Sequence, residues 1–126
     1  MNLLLDTHTF LWWVADDKKL STRARKAIAS KPCFVSMATA WELSIKVSLG
    51  KLQLGRPAAR FFEDEALTNR FAILAIQMRH LLAVESLPFH HGDPFDRMLV
   101  AQASVERLSV VTKDSNFESY GIKCVW

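Results

Sequence analysis

Apolar runs of three to five residues alternate along this chain with longer stretches in which apolar and polar positions recur at helical spacing. Residues 2–5 read as a short buried strand, 10–15 as a helix and 16–19 as a polar break. Ser21 is placed to cap a second helix running to about Ala29, and Lys31-Pro32 ends it. Residues 33–35 make a second strand, and Ser36 caps a third helix through Leu49, where Gly50 stops it. Residues 52–54 are extended, Gly55-Arg56-Pro57 introduces a helix over 58–67, and 71–75 is a third strand followed by a short helix over 78–84. After a loop at 87–92, Asp93 looks like an N-cap with Pro94 at the first helical position, where proline costs least. That helix runs to about Arg107, and strands follow at 110–111 and 122–125. Short apolar strands separated by helices predict an α/β fold with a mostly parallel sheet of four or five strands.

The 126 residues suffice for one domain, 1–126, with a genuine core, and half of them are hydrophobic, which leaves no room for extended disorder. No repeat, low-complexity tract or linker interrupts them. Cys33 and Cys124 lie in separate apolar segments without metal-ligand spacing and are expected reduced in a cytoplasmic protein. Leu3-Leu4-Leu5 is cut off by Asp6 with no basic region before it, so no export signal is expected. No apolar stretch approaches the roughly 20 residues of a membrane span, so no membrane partner is expected.

Where the apolar runs end changes the picture. Asp6 closes the first strand, Glu42 follows Trp41 on the third helix, Asp96 opens the long apolar helix, and Asp114 follows the fourth strand. Parallel strands of an open α/β sheet deliver their carboxyl ends to one edge, where such folds build their sites. Acids brought together there repel: at about 4 Å two unit charges cost roughly 4 kcal/mol at an effective dielectric near 20. Protons or cations must relieve that cost, so the pattern reads as a site for a hard metal ion. Oxygen-only ligands without histidine or cysteine spacing favour Mg²⁺ or Mn²⁺. Setting the four acids aside leaves 16 basic against 9 acidic residues. A basic body around a local acidic pocket suits a polyanionic substrate.

Each acid also has a plain structural role open to it. Asp6 can cap the helix after the first strand, Glu42 can pair with Lys46 one helical turn on, and Asp114 can form a turn with Ser115 and Asn116. Asp93 accounts for the cap of the long helix, which leaves Asp96 facing the mouth of the sheet. Thr7 and Thr112 are placed to support the carboxylates from behind. Lys46 and Arg97 are the candidate phosphate contacts, with pairing to Glu42 and covering the helix start as their alternatives. His8, His90 and His91 are open to roles as ligands or RNA contacts, but His90 and His91 lie in a loop, where solvated or hydrogen-bonded imidazoles are commoner. The run Phe10-Leu11-Trp12-Trp13-Val14 covers more than one helical face, which leaves one tryptophan for the surface.

The segments that carry the acids occur in order as Leu4-Leu5-Asp6-Thr7-His8, Trp41-Glu42-Leu43-Ser44-Ile45-Lys46, Gly50-Lys51-Leu52, Asp93-Pro94-Phe95-Asp96-Arg97 and Val111-Thr112-Lys113-Asp114. In these the chain resembles PIN domains of the kind found in VapC-like toxins of bacterial type II toxin–antitoxin pairs, over essentially its whole length. The resemblance implies a three-layer α/β/α fold and metal-dependent endoribonuclease activity, with Asp6, Glu42, Asp96 and Asp114 as the catalytic and metal-holding acids. It also implies a cognate antitoxin, a segment of which lies in a groove near the active site, and a homodimer. Many members carry a further acid two residues after the last, where this chain has Asn116. An amide there can still coordinate or hold a water, but it weakens the case for a second permanent metal site.

A divalent cation held by Asp6 and Asp96, with Glu42 and Asp114 direct or through water, would polarise a phosphodiester and acidify an attacking water. Products would then carry 5′-phosphate and 3′-hydroxyl ends, whereas attack by the 2′-hydroxyl leaves a cyclic phosphate. Haloacid-dehalogenase-like and receiver-domain readings fail on the residues: His8 stands where the first needs an aspartate, and the third strand ends without the acid the second needs. The remaining alternative is a catalytically silent PIN-like module that binds RNA or a protein partner.

Overall fold

The computed structural model describes all residues, Met1–Trp126. Five strands, β1 (Leu3–Leu5), β2 (Cys33–Ser36), β3 (Ala72–Leu74), β4 (Ser109–Val111) and β5 (Cys124–Val125), form one sheet in the order β3-β2-β1-β4-β5, and every pairing is parallel. Seven helices connect or flank them: α1 (Thr7–Val14), α2 (Thr22–Ser30), α3 (Met37–Ser48), α4 (Ala58–Thr68), α5 (Met78–Ser86), α6 (Pro94–Glu106) and α7 (Asn116–Ser119). No helix is long and apolar enough to cross a membrane.

Alternation along the strands divides the core in two. Leu3 and Leu5 of β1 join Phe10, Leu20, Ile28, Leu43 and Phe62 on one face of the sheet. Leu4 points the other way, to Leu99, Val100, Val110 and Phe117. All three leucines are fully buried, as expected of a central parallel strand covered by helices on both sides. The result is the parallel α/β sheet that the pattern predicts, in the three-layer α/β/α arrangement that the resemblance implies.

The chain leaves β1 towards β2 and β3 on one side and returns to β4 and β5 on the other. The order therefore reverses between β1 and β4, and their carboxyl ends open a crevice at that point, the usual ligand position in such sheets. Asp6 follows β1 and Asp114 comes three residues after the end of β4.

The helix ends follow their capping residues. Ser21 Oγ accepts from the Ala24 N–H at 3.0 Å and Ser36 Oγ from the Ala38 N–H at 3.0 Å. Gly50 takes a φ of 71° just past α3, a backbone conformation that costs a glycine little. Two boundaries differ from expectation. Asp6 caps α1, which starts at Thr7 rather than at Phe10. Asn116–Ser119, to which the pattern gave no element beyond a turn at residues 114–116, form the single-turn helix α7. Neither Trp12 nor Trp13 is fully exposed, since both pack against the core; the tryptophan left at the surface is Trp41, 59 % exposed.

Candidate active site

Asp6 is buried at the crevice and does two jobs. Its Oδ1 accepts from the Thr9 N–H at 2.8 Å, which caps α1, and its Oδ2 accepts from Thr112 Oγ1. The same Thr112 hydroxyl accepts from the Asp114 N–H at 3.0 Å, and Asp114 Oδ1 accepts from the Asn116 N–H at 2.9 Å. One threonine at the end of β4 thus ties together the two strand-end acids across the switch point.

Glu42 is buried on α3 despite its charge, at 8 % exposure. Its Oε1 accepts from Thr7 Oγ1 at 2.7 Å and its Oε2 pairs with Lys46 Nζ at 2.9 Å. Thr7 also contacts Thr39 Oγ1 at 3.2 Å, which fixes the first turn of α1 against α3. Asp96 is the third residue of α6. The cap belongs to Asp93, whose Oδ1 accepts from the Phe95 N–H at 2.9 Å and the Asp96 N–H at 3.0 Å. With the cap filled from outside, the Asp96 carboxylate is free to face the other acids.

Electrostatics shows how closely these groups are coupled. Burial, and then the negative charges of Asp93, Asp6, Glu42 and Asp114, push the Asp96 carboxyl up to about 7. Burial also raises Asp6, against the opposing effect of its hydrogen bonds from Thr112 and Thr9. Asp6, Glu42 and Asp114, from three other parts of the chain, therefore all bear on Asp96 at the carboxyl edge of the sheet. They do not yet form a closed cage: no three His, Cys, Asp or Glu side chains stand as a ready cation site. The hydrogen bonds supply a reason, since both oxygens of Asp6 and of Glu42 are drawn towards partners within the chain. All-carboxylate donors, one of them opposed in its ionisation by burial and by its neighbours, fit a hard divalent cation.

Arg97 does not stand where a phosphate contact was expected. Its guanidinium donates to the carbonyls of Pro88 at 2.8 Å and Leu87 at 3.3 Å and to Tyr120 Oη at 3.1 Å, and it stacks 3.9 Å from the Phe89 ring centre. Carbonyls of a loop with no other donors have claimed it, and the residue is 5 % exposed. Lys46 is paired to Glu42 yet partly exposed, so it borders the site.

His91, set aside in the sequence as a loop imidazole, lies against Asp96 with Nε2 3.5 Å from Oδ2. Nε2 is buried and has no hydrogen-bond partner. Tyr120 Oη accepts from Arg97 and from the His91 N–H at 3.3 Å, and it also meets the His91 carbonyl at 3.3 Å and His91 Nδ1 at 2.8 Å. No spacing along the chain announces this contact, because the loop reaches it through a tyrosine 29 residues away.

An all-parallel sheet with helices on both faces and coupled acids at its switch point defines an α/β domain with an acidic centre at the carboxyl edge. The family model described as PIN domain matches residues 3–123. The chain belongs to the PIN domain family. It is 29 % identical over 120 residues to Ribonuclease VapC22 of Mycobacterium tuberculosis, covering 94 % of this chain and 91 % of that one. Its fold is similar to a chain in the crystal structure of VapBC2 from Rickettsia felis bound to a DNA fragment from their promoter, with a TM-score of 0.70 at 13 % identity, covering 98 % of this chain and 97 % of that one. A chain of VapBC-1 from nontypeable Haemophilus influenzae is also similar, with a TM-score of 0.64 at 16 % identity, covering 98 % and 96 % of the two chains. At such identities the structural likeness establishes the fold.

Proposed function

We propose that the chain is a metal-dependent endoribonuclease, the toxin of a toxin–antitoxin pair, with residues 1–126 acting as one nuclease unit. The observation that carries this reading is the coupling of Asp6, Glu42 and Asp114 to Asp96 at the sheet's carboxyl edge. The relation to a VapC ribonuclease and the likeness to chains of VapBC complexes support the same activity and partner. Asp6, Asp96, Asp114 and Glu42 would hold Mg²⁺ or Mn²⁺. When bound, such an ion supplies Lewis-acid polarisation of the phosphodiester and a more acidic water. Thr112 and Thr7 orient Asp6 and Glu42 through their hydroxyls, His91 orients Asp96, and Glu42 can take a proton from the attacking water. Lys46, and Lys113 beside Asp114, meet the phosphates of the strand on either side.

An apolar cavity of about 330 Å³ next to Asp96 supports an antitoxin partner: Trp41, Ile76, Val84, Phe89 and Phe95 line it, and Phe89 is 82 % exposed. An amphipathic segment seated there would bury exposed aromatic area within reach of the acids.

Antitoxin-free protein incubated with total RNA in Mg²⁺ or Mn²⁺ is expected to cut it, leaving 5′-phosphate and 3′-hydroxyl ends, and a chelator is expected to stop the reaction. Addition of the antitoxin should block cutting by the wild type more strongly than by Trp41→Ser. Cyclic-phosphate ends or indifference to chelator would remove the metal mechanism. No cutting at protein excess would leave a silent RNA- or protein-binding module.

A further inference from the structure

We propose that His8 and Trp12 form a stacking platform for one unstacked base of single-stranded RNA, beside the phosphodiester to be cut. The inference rests on the nuclease reading above and adds a base subsite to it. His8 and Trp12 are one turn apart on α1, and their rings stack with centres 5.6 Å apart and planes at 24°. Together with Asp6, Lys113 and Asp114 they line a cleft of about 210 Å³. The rest of the first turn is committed inward: Thr7 to Glu42, Thr9 Oγ1 to the Val111 carbonyl at 2.8 Å, and Phe10 to the core. His8 is exposed, and Trp12 is half-buried and packs against Trp126 with 5.8 Å between ring centres.

The exposed imidazole of His8 stacked on Trp12, with a cation beside it and acids at its edge, matches a nucleotide: base on the stacked pair, phosphate towards Lys113 and the acids. Bases in a duplex are already stacked and cannot reach such a face, so the substrate is single-stranded. Glu42 and not Asp6 or Asp114 lines a second cleft, with Lys46, Lys51, Asp93 and Phe95, which offers two more cations. The strand would cross the acids between Lys113 and this pair.

The test uses a single-stranded RNA oligonucleotide that the wild type cuts once, and a set of the same oligonucleotide with one abasic nucleotide walked through the positions flanking the cut. The wild type should lose roughly 5- to 100-fold in KM at one flanking position, the range expected for one stacked base. His8→Ala and Trp12→Leu should raise KM on the intact RNA with little change in kcat, and the abasic penalty at that position should shrink or vanish in both. Trp12→Phe should restore most of the binding. Melting curves accompany each variant; should Trp12→Leu fail to fold, the exposed His8→Ala carries the comparison. A penalty that persists unchanged in His8→Ala, or the absence of any abasic penalty, overturns the platform while leaving the nuclease in place. A fall in kcat at constant KM overturns it too, because that assigns His8 to Asp6 instead of to a base. If the wild type neither cuts nor binds RNA, the nuclease reading fails first and the platform with it.

Discussion

Without a cation, Asp96 carries a proton that the unfolded chain would already have released. Its folded value of about 7 stands against an ordinary 3.8, so between those pH values the folded state binds more protons than the unfolded one. Stability therefore falls as pH rises through that window, and the loss is complete above about pH 7. Asp96→Asn removes the titrating group. In metal-free buffer its melting temperature is expected to match the wild type near pH 4 and to exceed it increasingly towards pH 8, while Mg²⁺-dependent cleavage is lost. A melting difference independent of pH would show that Asp96 does not feel the other acids. The same residue illustrates what the chain makes legible. That Asp96 is free for chemistry follows from the Asp93-Pro94 capping pattern; that His91 faces it, and that Arg97 does not face the phosphate, depends on a loop folding over a tyrosine far along the chain.

At the scale of elements, α6 does more than deliver Asp96. Asp93 caps it through the Phe95 and Asp96 amides and also adds a negative charge that raises Asp96, second only to burial. The two effects separate by substitution. Asp93→Ser keeps a capping oxygen and removes the charge, so stability should stay within a few tenths of a kcal/mol while the pH midpoint of metal-dependent activity moves downward. Asp93→Ala loses both, and should melt lower by the equivalent of about 1 kcal/mol with the same shift in midpoint. An unshifted midpoint in both would deny Asp93 its influence on the site. The strands and long helices were readable because their caps and apolar periods are local. The start of α1 was readable only in part: Asp6 was open to the capping role it takes, but Thr7-His8-Thr9 carry no apolar period to extend the helix back from Phe10. Helix α7 escaped because four residues carry too little periodicity to separate a helical turn from a loop.

At the scale of the whole molecule, burial and site chemistry oppose each other. The fold brings buried Asp6 and Glu42 and half-buried Asp96 and Asp114 to one edge, so on the proposed reading the apo fold gives up stability that a bound cation would return. A ligand that binds only the folded state adds about 2.7 kcal/mol at 100 times its Kd. For a chain of this length that corresponds to a rise in melting temperature on the order of 10 °C. The rise should grow with pH between 6 and 8, because the cation must displace the proton on Asp96. Mn²⁺ titrated against the wild type, Asp6→Asn and Asp96→Asn by thermal melting checks this directly: a large, pH-dependent rise in the wild type and almost none in either variant is expected. Equal rises in all three proteins would place the ion elsewhere. Opposite pH dependence, with the larger rise at low pH, would mean that binding does not compete with that proton. The acids would then owe their convergence to the fold's own hydrogen bonds.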